Sequence, residues 1–144
     1  MFGFFKSSKS SDVAELVQLG LSNISMDEHC HISELTKPEI STLAKKLTTA
    51  WMKSLPKEAI NDCHIKVLAA FVLVGEARVY AIELSHTDQA EFYINAAKLV
   101  TKGIGLHAAS RGLHQSDLIL LKSCAELAKG IGLDFYEQLL TVRA

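Results

Sequence analysis

The chain has 144 residues, of which 49% are hydrophobic and 22% are charged, and 15 basic against 16 acidic side chains leave a formal net charge of −1. This composition excludes a disordered chain, and it argues against a dedicated nucleic-acid-binding protein, which would carry a basic field or stripe. The length is that of one ordinary domain with a real core.

The sequence predicts a cytoplasmic protein. No hydrophobic stretch approaches the roughly 20 residues that cross a bilayer, and no signal peptide is visible at the start. The cysteines are odd in number and widely spaced, at Cys30, Cys63 and Cys124. Such a set favours reduced thiols over a disulfide framework.

Residues 1–10 differ in composition from everything that follows, because three phenylalanines stand beside two lysines and a run of serines. We predict a flexible aromatic and basic segment here, followed by a single helical domain over residues 11–144. Its rings and charges are candidates for binding a partner protein or, weakly, a membrane surface. These candidate residues are Phe2, Phe4, Phe5 and Lys6. A frayed terminus, or one tucked against the core, is the favoured interpretation, because termini are often disordered.

Two helices are predicted in the first third of the chain. Asp12, with Glu15 three residues later, has the spacing of a capping box at the start of the first helix. The second helix has the clearest start, because Thr36 is a capping residue, Pro38 lies in the first turn and Glu39 completes a reciprocal capping box. Apolar residues then repeat at intervals of three and four.

Residues 57–84 admit two interpretations. The run from Ile65 to Val74 is apolar on all sides, which is typical of a buried central helix. Its β-branched residues instead favour a hairpin at about 66–84, with Gly75-Glu76-Ala77 as the turn. A lone hairpin would have no other strand to pair with, and the run lacks an Asn-Gly or Asp-Gly signal, so the helix is favoured.

The pentapeptide Lys-Gly-Ile-Gly-Leu occurs twice, at 102–106 and 129–133. Each copy is predicted to end an amphipathic helix, because a glycine after a terminal lysine is typical of a helix C-cap. A phosphate-binding loop is disfavoured because helices, not strands, precede both copies. The apolar positions upstream also correspond, pairing Ile94 with Leu121, Ala97 with Cys124 and Val100 with Leu127.

The last two long helices are predicted to begin at about Ser85 and at Ser116-Asp117, and two short ones at about 106–110 and 133–142. Together these elements predict an all-α, single-domain bundle of five to seven helices. An α+β fold with the one hairpin is the alternative.

Weak candidates for a metal site are His29 and His31, in a predicted loop, together with Cys63 and His64. Zinc takes three or four such ligands, but this spacing is not that of a recognised zinc motif. Cys63 equally fits the start of a buried helix, because free cysteine is among the most buried residue types. We therefore assign no metal and no cofactor.

Glu76 and Arg78 interrupt the most apolar segment of the chain. In a central helix, each charge needs a partner or a route to solvent. One interpretation is a polar pocket formed with Tyr80 and His86. The other, an exposed stripe near the end of the helix, is favoured because buried charge is rare.

Enzymatic function has little support. Adjacent residues on a helix point about 100° apart, so Cys63 and His64 do not form a nucleophile–base pair by themselves. The leading prediction is a non-catalytic cytosolic protein that acts through protein–protein interaction, as an adaptor, regulator, chaperone-like or inhibitor module. Its partner is another protein or itself, and self-association would use an open face bearing Phe92, Tyr93, Phe135 and Tyr136. The alternative is a helical bundle that binds a small ligand or a metal.

Overall fold

The computed structural model of the protein describes residues 3–24, 36–85, 87–101 and 115–128. Over these ranges the chain forms six α-helices and no strand. The helices are α1 (Gly3–Ile24), α2 (Lys37–Met52), α3 (Lys57–Asp62), α4 (Ile65–Arg78), α5 (Thr87–Thr101) and α6 (Gln115–Ala128). A π-helical turn, Val79–Glu83, continues α4. The predicted all-α bundle is confirmed, and the alternative hairpin at 66–84 is wrong.

Helix α4 lies at the centre of the bundle. It packs against α1, α2, α5 and α6, and every residue from Val67 to Gly75 is buried. A helix that is apolar on all sides is stable in water only when other helices surround it. The predicted central helix is therefore confirmed, with Gly75 inside the helix rather than in a turn.

Helix α1 begins at Gly3, so the predicted start at Asp12 is wrong and residues 3–10 belong to the first helix. Serine favours caps and turns in isolation, which is why this serine-rich stretch looked non-helical. Further along the same helix, Val13, Val17 and Leu21 form a fully buried stripe. Near the start of the stripe, Lys9 Nζ donates to the carbonyl oxygen of Asn61, 2.8 Å away.

The start of α2 confirms the predicted capping box. The backbone N–H of Thr36 donates to Glu39 Oε1 at 2.9 Å, and the backbone N–H of Glu39 donates to Thr36 Oγ1 at 3.3 Å. The bond from the Thr36 backbone, assisted by the Thr36 hydroxyl, lowers the pKa of the Glu39 carboxyl, because hydrogen bonds to the carboxylate favour its charged form. Local sequence alone therefore specifies this helix end.

The π-helical turn separates α4 from α5. The backbone N–H of Leu84 donates to the carbonyl of Val79 at 3.1 Å, which is the five-residue spacing of a π-helix. Ser85, with φ of 51°, then ends the helix in the left-handed region, which is uncommon for residues other than glycine. The turn leaves two large apolar side chains at the surface, Ile82 at 52% exposure and Leu84 at 58%.

Helices α5 and α6 carry the predicted buried stripes. Ile94, Ala97 and Val100 are buried on α5, and Leu121 and Cys124 are buried on α6. The repeated pentapeptides at 102–106 and 129–133, and the short helices expected at 106–110 and 133–142, lie outside the described residues.

The aromatic residues expected on an open face are not available for self-association where the structure describes them. Phe92 is 4% exposed and Tyr93 is 1% exposed, so both belong to the core. Phe135 and Tyr136 lie outside the described residues. No helix in the described ranges is both long and apolar enough to cross a membrane.

Candidate functional site

The end of α2 is seated on the backbone of α4 through Trp51. A Cβ placed on Gly75 would lie 2.8 Å from Cζ3 of the indole and 2.9 Å from two further ring carbons. The ring also meets Phe71 edge-on, with the ring centroids 5.9 Å apart. Gly75 is therefore a packing glycine, because only a residue without a side chain admits the ring so close to α4.

The charges on α4 are half-buried and hydrogen-bonded, so the interpretation of Glu76 and Arg78 as an exposed stripe is wrong. Trp51 Nε1 donates to Glu76 Oε1 at 3.0 Å, and Arg78 Nη1 donates to the carbonyl oxygen of Leu127 at 3.1 Å. The guanidinium thus satisfies a carbonyl near the end of α6, one of those that a helix leaves unpaired there. The polar-pocket interpretation gains support from these contacts, although His86 lies outside the described residues.

The π-helical turn is held against α5 by stacked tyrosines. The rings of Tyr80 and Tyr93 lie 5.4 Å apart at 18° to each other, and Phe92 meets Tyr93 edge-on. Burial raises the pKa of the Tyr93 hydroxyl, and the neighbouring Tyr80 and Glu76 raise it further. The hydroxyl, which is also hydrogen-bonded to Gln89, therefore stays protonated and serves as a buried polar contact.

These contacts border an open groove of about 390 Å³, hereafter the π-turn groove. It is lined by Trp51, Gly75, Arg78, Val79, Ile82, Glu83 and Leu127. The lining is mainly apolar, with one cationic and one anionic side chain. Because the charge of Arg78 is engaged by Leu127, the exposed Glu83 is the charge in the lining that is open to a partner.

Sequence reasoning placed Trp51 in the core and missed the π-turn groove. The available signal was a glycine inside an otherwise helical apolar run, which is tolerated mainly where something packs closely on the backbone. The single tryptophan of the chain was the natural candidate to pack there. Nothing in the sequence indicated the π-helical turn.

Cys63 and His64 are brought together with Asp117, a buried carboxylate in the first turn of α6. Asp117 Oδ1 accepts from the backbone N–H of His64 at 2.7 Å, and the carboxylate also accepts from the Cys63 thiol. His64 caps α4, with its Nδ1 accepting from the backbone N–H of Lys66 at 3.1 Å. The cluster therefore ties the start of α6 to the start of α4.

The Cys63 thiol is not poised for catalysis. Burial, assisted by the negative charge of Asp117, raises its pKa to about 12. A thiol must be deprotonated to act as a nucleophile or a metal ligand, so this one is inert near neutral pH. The contacts of this cluster join helices instead.

Two of the four metal candidates, Cys63 and His64, lie in the described residues. Among the residues that the structure describes, no three His, Cys, Asp or Glu side chains lie close enough together to hold a metal ion. His29 and His31 lie outside the described ranges, so their proposed contribution stays a prediction.

The N-terminal candidates also stay predictions. Phe2 lies outside the described residues, and Phe4, Phe5 and Lys6 lie on the first turns of α1 with side chains that are not described. Their helical backbone would give them fixed spacing along one element.

No protein-family model, curated protein or solved structure matches this chain.

Proposed function

We propose that this protein is a non-catalytic, cytosolic binding module that recognises another protein through the π-turn groove. The observation that carries the proposal is the exposed apolar side chain of Ile82, which lies on the π-helical turn and lines the groove together with Trp51. Leu84, the residue that follows the turn, is a second exposed apolar side chain. Short π-helical segments are rare, and they occur frequently at functional sites.

The groove is preorganised around Trp51. The indole is fixed by close packing on Gly75, by its edge contact with Phe71 and by its hydrogen bond to Glu76. Tryptophan is enriched among the residues that dominate interface energies, and a side chain that is already ordered loses little entropy on binding. These features support a contact site rather than a merely exposed helix end.

The chemistry of the lining points to one kind of partner. An apolar side chain would enter beside Trp51 and Ile82, and a neighbouring basic residue would meet Glu83 at the rim. An amphipathic helix presents side chains in this way. Two exposed apolar side chains fall well short of the roughly 800 Å² per partner that a stable interface buries, so we infer a transient contact, with a helix of another protein as the partner. A transient contact of this size suits an adaptor or regulator.

The thiols support the cytosolic part of the proposal. Cys63 and Cys124 are both buried and in the thiol form, as expected in a reducing compartment. The protonated state of the Cys63 thiol likewise favours a non-catalytic role for this residue.

A matched pair of variants tests the proposal. Ile82 and Ile119 are similarly exposed, at 52% and 60%, but only Ile82 lines the groove. Ile82→Asp should reduce the amount of a specific co-purifying protein by tenfold or more, about 1.4 kcal/mol of binding free energy, whereas Ile119→Asp should leave it unchanged. Quantitative mass spectrometry of tagged protein from its own cells measures both. Equal recovery of every co-purifying protein by the two variants would contradict the proposal.

A further inference from the structure

A second groove, of about 490 Å³, lies between α1 and α2 and shares no lining residue with the π-turn groove. We call it the hydroxyl groove, because serine and threonine side chains dominate its lining. These residues are Ser10, Ser11, Ser41, Thr48 and Thr49. Its volume lies within the range of small-molecule sites, although it is more polar than most of them.

Thr48 is the unusual member of this set. It is 1% exposed, and its Oγ1 is buried with no hydrogen-bond partner in the part of the chain that the structure describes. Helical hydroxyls elsewhere bond the carbonyl four residues back, as Thr42 does to Pro38 at 3.0 Å and Thr101 to Ala97 at 2.8 Å. A buried hydroxyl without a partner destabilises the fold, so its presence in a groove calls for a partner supplied from outside.

The lining selects among ligand classes. Its residues include no aromatic ring on which a nucleobase or a sugar would stack, and an apolar ligand would leave the hydroxyls unpaired. The groove carries one cation, Lys45 on α2, and one anion, Glu15 on α1. This balance disfavours inorganic phosphate, which prefers clustered cations. A molecule with one positive and one negative end is complementary to Glu15 on α1 and Lys45 on α2.

We propose that the hydroxyl groove binds a small zwitterion of the α-amino acid or dipeptide class. Its ammonium group is placed toward Glu15, its carboxylate toward Lys45, and a polar group of the ligand pairs with the hydroxyl of Thr48. This inference is independent of the π-turn groove, since the two sites share no lining residue.

Titration of the ¹⁵N-labelled full chain tests this assignment, with L-serine and seryl-glycine as probes and glycerol and inorganic phosphate as comparisons. Either zwitterion should produce saturable amide shift changes concentrated in residues 10–18 and 41–49. Absence of saturable shifts with both zwitterions, or a stronger response in these segments to glycerol or phosphate, would overturn the proposal.

Thr48→Val removes the unpartnered hydroxyl while keeping the shape of the side chain. It should weaken zwitterion binding at least fivefold, and it should raise the Tm of the unliganded protein. Thr42→Val is the control, because its hydroxyl already bonds its own helix and lies on an exposed position; it should not weaken binding. If Thr48→Val binds the zwitterions with unchanged affinity, or if its Tm is lowered, then the Thr48 hydroxyl does not bond the ligand as proposed.

Discussion

The indole ring of Trp51 occupies the space that a side chain on Gly75 would fill, with three ring carbons 2.8 to 2.9 Å from the position of that missing Cβ. This contact joins the end of α2 to the last turn of the central helix α4. It also sets one wall of the π-turn groove, because both residues line it. The stability of the bundle and the shape of its candidate binding surface therefore depend on the same pair.

Gly75→Ala should destabilise the protein by about 1 to 2 kcal/mol. Glycine inside a helix normally costs about 1 kcal/mol relative to alanine, so helix propensity alone predicts a gain in stability. The clash with a rigid ring should outweigh that gain, because overpacking typically costs 1 to 3 kcal/mol. Urea unfolding followed by tryptophan fluorescence measures the net change.

The control for this variant is the double variant Trp51→Leu with Gly75→Ala. Once the ring is absent, the alanine should be neutral or stabilising relative to Trp51→Leu alone. If Gly75→Ala costs the same in both backgrounds, the ring contact is not the reason that glycine occupies this position.

Asp117→Ala should cost about 2 to 4 kcal/mol, because it leaves the partly buried backbone N–H of His64 and the buried Cys63 thiol without their acceptor. Asp117→Asn should cost less, since an amide oxygen still accepts from the N–H. The exposed Asp88 in the first turn of α5 provides the comparison, and Asp88→Ala should cost about 0.5 kcal/mol. Thermal and urea denaturation measure the free energy of unfolding of the three variants. An equal loss of stability in Asp117→Ala and Asp88→Ala would contradict a structural role for Asp117.

Stability should fall in alkaline solution through Cys63. The folded state keeps the thiol protonated to about pH 12, whereas the unfolded chain releases the proton near its ordinary pKa of 9.0. The unfolded state therefore binds fewer protons between these values, and the free energy of unfolding decreases as pH rises from about 9, by at most about 1.4 kcal/mol per pH unit for this group.

Cys63→Ala should flatten this decline between pH 9 and 10. A decline above pH 10 should remain, because burial also raises the pKa of Tyr93 and unfolding exposes its hydroxyl to deprotonation. Denaturant unfolding at a series of pH values measures both slopes. An identical profile in the parent protein and in Cys63→Ala would contradict the burial of the thiol.

The elements that the sequence predicted correctly are those specified by neighbouring residues or by a continuous hydrophobic pattern along the chain. The Thr36 and Glu39 capping box is specified within four residues, and the uninterrupted apolar run of α4 leaves burial as its only stable environment. The start of α1 was mispredicted because the distinct composition of residues 1–10 was taken as a separate segment, whereas the helix begins at Gly3.

The candidate site was largely hidden because it depends on contacts between distant positions. Trp51 and Glu76 are 25 residues apart, and Arg78 and Leu127 are 49 apart, so neither hydrogen bond has a local signature. The π-helical turn likewise accompanies the stacking of Tyr80 on Tyr93 from a different helix. The sequence identified Glu76 and Arg78 as polar residues that need partners, but it did not indicate that those partners are Trp51 and Leu127.

Site-specific photo-crosslinking tests the central claim most directly. A photoreactive side chain placed at position 82, inside the π-turn groove, should capture one defined protein in the cells of origin, and the same side chain at position 119 should not. Capture should also disappear when Glu83→Lys is added, because the inferred partner brings a basic residue to that rim. Equal labelling from both positions, or capture that Glu83→Lys leaves unchanged, would contradict a protein-binding role for this groove.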